Sequence, residues 1–381
     1  MAETPTPRWA QRPEDLVRAA TELAAAAEVA LDTEGDSLHH YPDRLALIQL
    51  GLPGGEVWLV DPLALEDLSP LGPVFAGEQP RLVVHAGDND LVQLKRRFGF
   101  GFASVFDTSI AARFLGATSL GLDTLLERYL AVTLPPSRQK DDWSARPLNA
   151  AQVDYATADV RHLFELKNHL ADELAKVERL AWVEEECAAL AAQPAPEPVD
   201  DAFAYLYAKG ARELTPREQA VLRELWNTRD ELALAADRPP FKVLSAEILV
   251  AIARAAPRDE AALGKVAGMT PRACARWGGA ILGAVERGLA LDEADFAVPV
   301  SRPRPRVPGA VGKRVEKLRV WRAVAAPRVG LEPGVFLPNR LITAIALASP
   351  RTLDDLAAVE GVRRWRVDAF GAEILAALAK P

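Results

Sequence analysis

Three short segments carry carboxylates where strand and helix packing alone has no use for them: Asp32-Thr33-Glu34, His85-Ala-Gly-Asp-Asn-Asp90 and Tyr155-Ala-Thr-Ala-Asp159. The first closes the apolar run 29–34, and residues i and i+2 of a strand face the same side, so Asp32 and Glu34 stand together. Two like charges side by side in a partly dry cleft repel strongly unless a cation lies between them. The second segment runs from a strand into a helix whose first turn holds Asp88 and Asp90. Acids there also favour the helix dipole, so one of the two can be a cap only, and Asp88 is the alternative to Asp90 as the third site acid. The third has i, i+4 spacing, which sets a phenol and a carboxylate on one helix face, where the phenol can orient a water. Oxygen donors with no accompanying cysteine or histidine cluster select a hard cation, Mg²⁺ or Mn²⁺, over zinc. Two such ions about 3.5 to 4 Å apart form the clamp that stabilises attacking and leaving oxygens in phosphodiester cleavage.

The elements that must position these groups are legible in the apolar pattern. Short runs at 29–34, 44–51, 56–61, 81–86 and 104–107 read as strands, with Gly-Leu-Pro-Gly-Gly at 51–55 as a hairpin turn between the second and third. The stretches 62–77, 88–98 and 109–130 read as helices, and 149–190 as one or two long ones. This predicts a mixed α/β sheet flanked by helices. A Pro-rich acidic linker at 193–201 follows, and the catalytic domain is expected to end there and to stay active if the chain is truncated near Pro198. Beyond it Pro257, Leu263, Gly268, Gly278 and Ile281 recur 93 residues later as Pro350, Leu356, Gly361, Gly371 and Ile374, which predicts two small all-α bundles. The expected boundaries are 1–192, a linker 193–210, a first bundle 211–292, a basic linker 293–312 and a second bundle 313–381.

Composition narrows the class. The chain has 381 residues, 49% hydrophobic and 26% charged, which is that of an ordinary globular protein. Two cysteines, Cys187 and Cys274, cannot build a disulfide framework or a thiolate zinc cluster. A polar, Pro-containing Met1–Arg12 and the absence of any long apolar run predict a cytoplasmic protein without a membrane contact. The net charge of −8 is unevenly spread: residues 1–200 carry 17 Lys and Arg against 32 Asp and Glu, residues 201–381 carry 28 against 21. An acidic half beside a basic half fits a carboxylate-rich catalytic part joined to one that attracts polyanions. The segment 300–328 is especially basic, with Arg302, Arg304, Arg306, Lys313, Arg314, Lys317, Arg319, Arg322 and Arg328 against Glu316 alone, and suits phosphate contact or a solvated helix face.

The segments LDTE, HAGDNDL and YATADV resemble the three motifs of the tyrosine-bearing DEDD exonucleases, and 139–160 is similar to the corresponding stretch of the ribonuclease D family. The repeats resemble the HRDC module, and one exonuclease plus two such modules is that family's architecture. The resemblance implies an α/β exonuclease domain with an RNase H-like mixed sheet, followed by two HRDC-like bundles. It implies a 3′–5′ exoribonuclease that uses two divalent cations, Mg²⁺ or Mn²⁺, to release 5′-mononucleotides. Asp32, Glu34, Asp90 and Asp159 correspond to the metal-binding acids and Tyr155 to the tyrosine that positions the attacking water. Its partners are expected to be RNA 3′ ends, those of tRNA precursors and small structured RNAs, with no obligate protein partner.

Trp143, Arg146 and Pro147 are expected to wall the nucleotide pocket, Trp143 either by stacking on a base or by packing a helix on the sheet. His85 is read as a hydrogen-bonded histidine at a strand end or as a substrate contact. Gly35-Asp36-Ser37 stands where many relatives have an aromatic residue after the first motif, and His39, His40 and Tyr41 are candidates for those contacts. Arg363, Arg364 and Arg366 are candidates for phosphate contact. Two other readings compete: a 3′–5′ DNA exonuclease of the proofreading or Werner type, since nothing at the acids distinguishes sugars, and a non-enzymatic nucleic-acid adaptor.

Overall fold

The computed structural model describes residues 5–196, 202–292 and 309–379. The sheet domain runs β1 (Arg8–Ala10), α1 (Pro13–Ala24), β2 (Glu28–Gly35), β3 (Leu45–Gly51), β4 (Val57–Val60), α2 (Gly72–Ala76), β5 (Arg81–Val84), α3 (Asp88–Phe98) and β6 (Val105–Asp107). It continues through α4 (Thr108–Phe114), α5 (Leu122–Leu130), α6 (Ala150–Arg161), α7 (Leu163–Lys176) and α8 (Leu180–Ala192). The first helical repeat comprises α9 (Pro216–Ala235), α10 (Pro240–Val243), α11 (Ala246–Ala255), α12 (Glu260–Leu263) and α13 (Pro271–Ala290). The second comprises α14 (Gly309–Arg328), α15 (Pro333–Phe336), α16 (Asn339–Ala348), α17 (Leu353–Ala357) and α18 (Arg364–Ala379).

The sheet has the order β1-β4-β3-β2-β5-β6, with β3 antiparallel to β2 and β4 and the other pairs parallel. Strand β2 is therefore held on both edges. Its Leu31 packs with Leu16 and Leu50 on one face, while Ala30 packs with Leu47, Trp143, Tyr155 and Ala156 on the other. Alternation puts Asp32 and Glu34 on the Ala30 face, under α6. The β2–β3 register shifts between Glu34 and Gly35, a bulge that bends the strand where the carboxylate pair ends.

Four elements differ from the sequence reading. The stretch 149–190, read as one or two long helices, is three, α6, α7 and α8, broken at His162 and at 177–179, where Glu178 is left-handed with φ 58°. The stretch 62–77 holds only a 3-10 turn, Ser69–Leu71, and the five-residue α2, because Pro62, Pro70 and Pro73 remove backbone donors and clash with a preceding turn. The stretch 109–130 is two helices separated at 115–121, where Gly116 is left-handed with φ 83°. Strand β1 gives no pattern signal in three residues and exists because it pairs in parallel with β4.

The repeat holds throughout. Each helix of the second bundle starts 93 residues after its counterpart, from Pro216 and Gly309 to Pro271 and Arg364. Gly268 and Gly361 are both left-handed, at φ 89° and 82°, and a Cβ there would meet Ile248 at 2.8 Å and its counterpart Leu341 at 3.1 Å. Only glycine meets both demands.

The repeats attach differently. The second shares one apolar core with α4, α5, α7 and α8, including Phe114, Leu170 and Cys187 against Leu331, Trp365 and Phe370. Trp365 stacks on Trp182 with ring centroids 4.5 Å apart, and its indole N–H donates to Glu186 at 3.0 Å. Arg366 is buried, donates to Glu186 at 2.6 Å and to the carbonyls of Phe336 and Val335 at 2.9 Å. Glu185 accepts from the backbone N–H groups of Arg364 and Trp365, and Arg363 pairs with Glu186. This corrects the expectation for Arg363 and Arg366: they build a domain junction, and Arg366 has no surface to offer a phosphate, while the exposed Arg364 guanidinium pairs with Asp368 of its own helix. It also corrects the expectation of a free-standing nuclease, since loss of the second repeat strips one side of that core; Pro198 itself lies outside the described residues. Of the basic segment, Arg302, Arg304 and Arg306 lie outside the described residues as well. Arg314 donates to Ala346 O, Arg322 to Leu337 O, and Arg328 pairs with Glu373, so these serve packing within the repeat.

Removing Glu186 leaves the buried Arg366 guanidinium without its counter-charge, a change that costs about 3–5 kcal/mol. Glu186→Ala is therefore expected to lower the thermal midpoint clearly in calorimetry. A midpoint unchanged within error contradicts this account of the junction.

Candidate active site

The site is assembled from four local devices. Strand β2 supplies Asp32 and Glu34. The turn from β5 to α3 supplies Asp90, and it is pinned by the buried Asp107, whose carboxylate accepts from the N–H groups of Ala86 (3.1 Å), Gly87 (3.0 Å) and Ser109 (2.7 Å). Gly87 is required there, because a Cβ would lie 2.8 Å from the Val84 side chain. Helix α6 supplies Tyr155 and Asp159 and is started by a reciprocal cap, Asn149 accepting from Gln152 N–H at 3.0 Å and the Gln152 side chain from Asn149 N–H at 3.1 Å. The break between α4 and α5 supplies an apolar wall, Leu120 to Leu122.

These devices enclose a cleft of about 380 Å³ lined by Asp32, Thr33, Glu34, Asn89, Asp90, Gln139, Tyr155 and Asp159, with Leu120, Leu122 and Leu163 on its apolar side. Carboxylate oxygens of Asp32, Glu34 and Asp159 lie within 4.8 Å of one another. Asp90 stands beside that trio and accepts a short hydrogen bond from the Thr33 hydroxyl. Asp88 is exposed and does not line the cleft, so of the two candidate acids in α3 the structure brings Asp90 to the site.

Burial and mutual repulsion dominate the electrostatics. Burial, then Asp90, Asp159 and Glu34, holds Asp32 well above the ordinary aspartate range. Burial followed by Asp159 and Asp90 pushes Glu34 up to about 8. Asp90 is raised to about 6 by burial, against the Thr33 hydrogen bond, and Asp159 to about 7 by burial, against one from Tyr155. Burial and the same carboxylates push the Tyr155 phenol further up, so it stays protonated. No lysine or arginine is among the causes of any of these shifts. A crowded, all-oxygen donor set with no counter-charge fits a hard divalent cation.

Of the three expected substrate contacts, Trp143 and Arg146 do not line the cleft and His85 does. Trp143 is fully buried beside Tyr155, ring centroids 6.1 Å apart, so it has no face to offer a base; it packs α6 on the sheet. Arg146 is consumed by the buried Asp61 (2.7 and 2.8 Å) and by the carbonyls of Ala46 and Trp143 (both 2.7 Å). His85 lines the cleft, but its nitrogens are engaged at 2.8 Å with the Thr108 hydroxyl and the Leu120 carbonyl, which fix the cleft wall. In the loop after β2, Asp36 is buried on Arg44, and His39 and His40 bind Lys140 O and Asp237, so that loop is a strut. Sequence reasoning missed Thr33, whose hydroxyl pairs with a residue 57 positions away, and Gln139. Neither spacing nor periodicity carries such a signal.

Comparison with known proteins agrees with this geometry. A 3′–5′ exonuclease family model matches residues 7–175, and an HRDC domain model matches 218–285 and 312–378. The chain is 31% identical to Ribonuclease D of Pseudomonas paraeruginosa, covering 98% of each chain. It is 32% identical to that of Granulibacter bethesdensis, covering 98% of this chain and 92% of the relative. The crystal structure of Escherichia coli RNase D, described as an exoribonuclease involved in structured RNA processing, superposes with a TM-score of 0.69 at 26% identity, covering 97% and 98%.

The raised carboxylates set a pH dependence. Their folded-state values of about 8, 7 and 6 for Glu34, Asp159 and Asp90 lie above the roughly 4 of an unfolded chain. The folded form then binds more protons, so their stabilising contribution is full below about pH 4 and is lost as pH rises through 6 to 8. With cations chelated, the thermal midpoint is expected to fall between pH 5 and 8.5 and to recover at pH 8 on addition of Mg²⁺ or Mn²⁺. A flat curve with no cation response contradicts the repulsion.

Proposed function

The chain belongs to the ribonuclease D family of 3′–5′ exoribonucleases, and on that premise we propose that the Asp32, Glu34, Asp90 and Asp159 cleft hydrolyses the 3′-terminal phosphodiester of an RNA strand. The observation that carries the residue assignment is the buried carboxylate trio, oxygens within 4.8 Å and no lysine or arginine lining the cleft. Two divalent cations, Mg²⁺ or Mn²⁺, bound by these acids would supply Lewis acidity at the phosphate and a nucleophile at neutral pH.

The chain's own residues do the positioning. Tyr155, protonated and hydrogen-bonded to Asp159, presents its hydroxyl toward the position of the attacking water. Leu120, Leu122 and Leu163 give the terminal nucleoside an apolar seat and keep bulk water from the reacting side. Thr33 orients Asp90, and the Asp107 network fixes the turn on which Asp90 rides. The product is a 5′-mononucleotide and a strand one residue shorter. A structured RNA such as a tRNA precursor is the substrate class we assign, supported by what is described for the Escherichia coli relative. A cytoplasmic setting fits two free cysteines and the lack, among the described residues, of a helix able to cross a membrane.

Incubating the protein with 5′-labelled RNA and DNA of one sequence, with and without Mg²⁺ or Mn²⁺, tests the reading: stepwise RNA shortening that needs a divalent cation is expected. Preference for DNA points instead to the proofreading type. Asp32→Ala and Asp159→Ala should abolish hydrolysis while the cation-free protein becomes more stable, since each relieves repulsion. Tyr155→Phe should cost about 10²- to 10⁴-fold in kcat, the scale of losing a positioned proton-handling group. Full activity in that variant makes Tyr155 structural.

A further inference from the structure

Behind the acids, in the layer between the sheet and α6, both amide atoms of Gln49 and the indole nitrogen of Trp143 are buried with no hydrogen-bond partner among the described residues. The two residues are fully buried. Gln49 stands on β3 directly opposite Asp32 of β2, and on its other edge opposite Leu59 of β4. Directly paired residues of an antiparallel ladder share a face, with Cβ atoms about 5 Å apart. That face is the one under α6: a Cβ on Gly51, two residues further along β3, would lie 3.2 Å from the Ala30 side chain and 3.3 Å from the Val160 carbonyl of the helix.

An amide is a costly occupant of this layer. Its neighbours on that face, Leu47 two residues before it and Leu59 across the ladder, are apolar, and a carboxamide buried with its bonds unmade gives up its hydration for nothing. Gln49 lies outside the cleft lining, so substrate does not reach it. What the position does meet is Asp32. Of the four acids, Asp90 accepts from the Thr33 hydroxyl and Asp159 from the Tyr155 phenol, while Asp32 has, among the described residues, only the backbone N–H of Thr33. A carboxylate that ligates a cation is itself hydrogen-bonded from behind, which fixes the direction of its oxygens.

Resting on the reading of the cleft as a divalent-cation site, we propose that Gln49 is a positioning residue for Asp32, its Nε2 donating to the carboxylate directly or through one buried water. A buried water makes about three hydrogen bonds, and Gln49, Trp143 and Asp32 together offer that number. The amide oxygen remains as the acceptor that the Trp143 indole lacks. Gln49 touches neither strand nor cation. Its part is to keep the Asp32 oxygens aimed at the position that Glu34 and Asp159 share.

Gln49→Met and Gln49→Leu, made in the full-length protein, test it, since both nearly keep the volume and remove the amide. Free of cations, either variant should melt at or above the midpoint of the unaltered protein, because an apolar chain replaces a poorly bonded buried amide. Kd for Mn²⁺, read by titration calorimetry without RNA, should rise about tenfold to a hundredfold, the scale of losing a group that orients a metal ligand. At sub-saturating Mn²⁺ kcat should fall with it, while KM for RNA holds. Leu59→Met, a volume-conserving change on the other edge of Gln49, is the control and should leave Kd for Mn²⁺ unchanged. Unchanged Mn²⁺ affinity in the Gln49 variants, or an equal loss in the control, overturns the positioning role while cation-dependent cutting of RNA by the unaltered protein keeps the functional reading. Loss of folding in both variants overturns it too, since the amide is then a determinant of the fold. If the unaltered protein neither binds Mn²⁺ nor cuts RNA, the functional reading falls and the role of Gln49 with it.

Discussion

Four carboxylates held in one cleft that no lysine or arginine lines are the constraint around which this molecule is built. Left alone, Asp32, Glu34, Asp90 and Asp159 would move apart or take up protons, and the fold, by burying them together, raises their proton affinities. The resistance is local and redundant. β2 is clamped on both edges, Asp107 ties the β5–α3 turn through backbone N–H groups, and a reciprocal cap starts α6. Each device uses ordinary hydrogen bonds, and together they hold a repulsion that a divalent cation relieves.

The two helical repeats show one scaffold committed to two tasks. Their helices start at a constant offset, and the same left-handed glycine packs against the same neighbour. What differs is the start of the last helix. In the second repeat Trp365 and Arg366 meet Trp182 and Glu186, so the repeat is welded to the nuclease by a stacked ring pair and a buried ion pair. In the first, only Tyr41 reaches into its core from the sheet domain among the described residues, and the corresponding face stays open and cationic. One repeat thus gives rigidity, the other a surface.

Much of the site was legible in the sequence because its logic is local. A strand puts i and i+2 on one face and a helix puts i and i+4 on one face, so Asp32 with Glu34 and Tyr155 with Asp159 follow from spacing alone. The helix 88–98 and the recurrence at 93 were equally local. Apart from the proline-broken stretch 62–77, whose signal was local, the misses were tertiary. Trp143 looks like a stacking platform until α6 covers it, and Arg146 like a wall of the nucleotide pocket until Asp61, 85 residues earlier, takes its guanidinium. Strand β1 owes its existence to a partner some fifty residues away, and no window of its own sequence contains that partner.

The same distinction governs what charge counts mean. The excess of basic residues after position 200 suggested an electrostatic grip spread along the whole C-terminal half. Yet a cation attracts a phosphate only if its charge is not already spent. Arg366, Arg363 and Arg328 face glutamates, while Arg314 and Arg322 satisfy carbonyls within the second repeat. Buried or paired, such groups add to the count without adding to the field a polyanion meets. Arg238, Lys242, Arg272 and Arg276 are few by comparison, but they are exposed, clustered and beside open aromatic surface. Affinity for a polyanion should therefore follow the unspent cations rather than the net charge, and among the described residues four of those gather at one cavity of the first repeat.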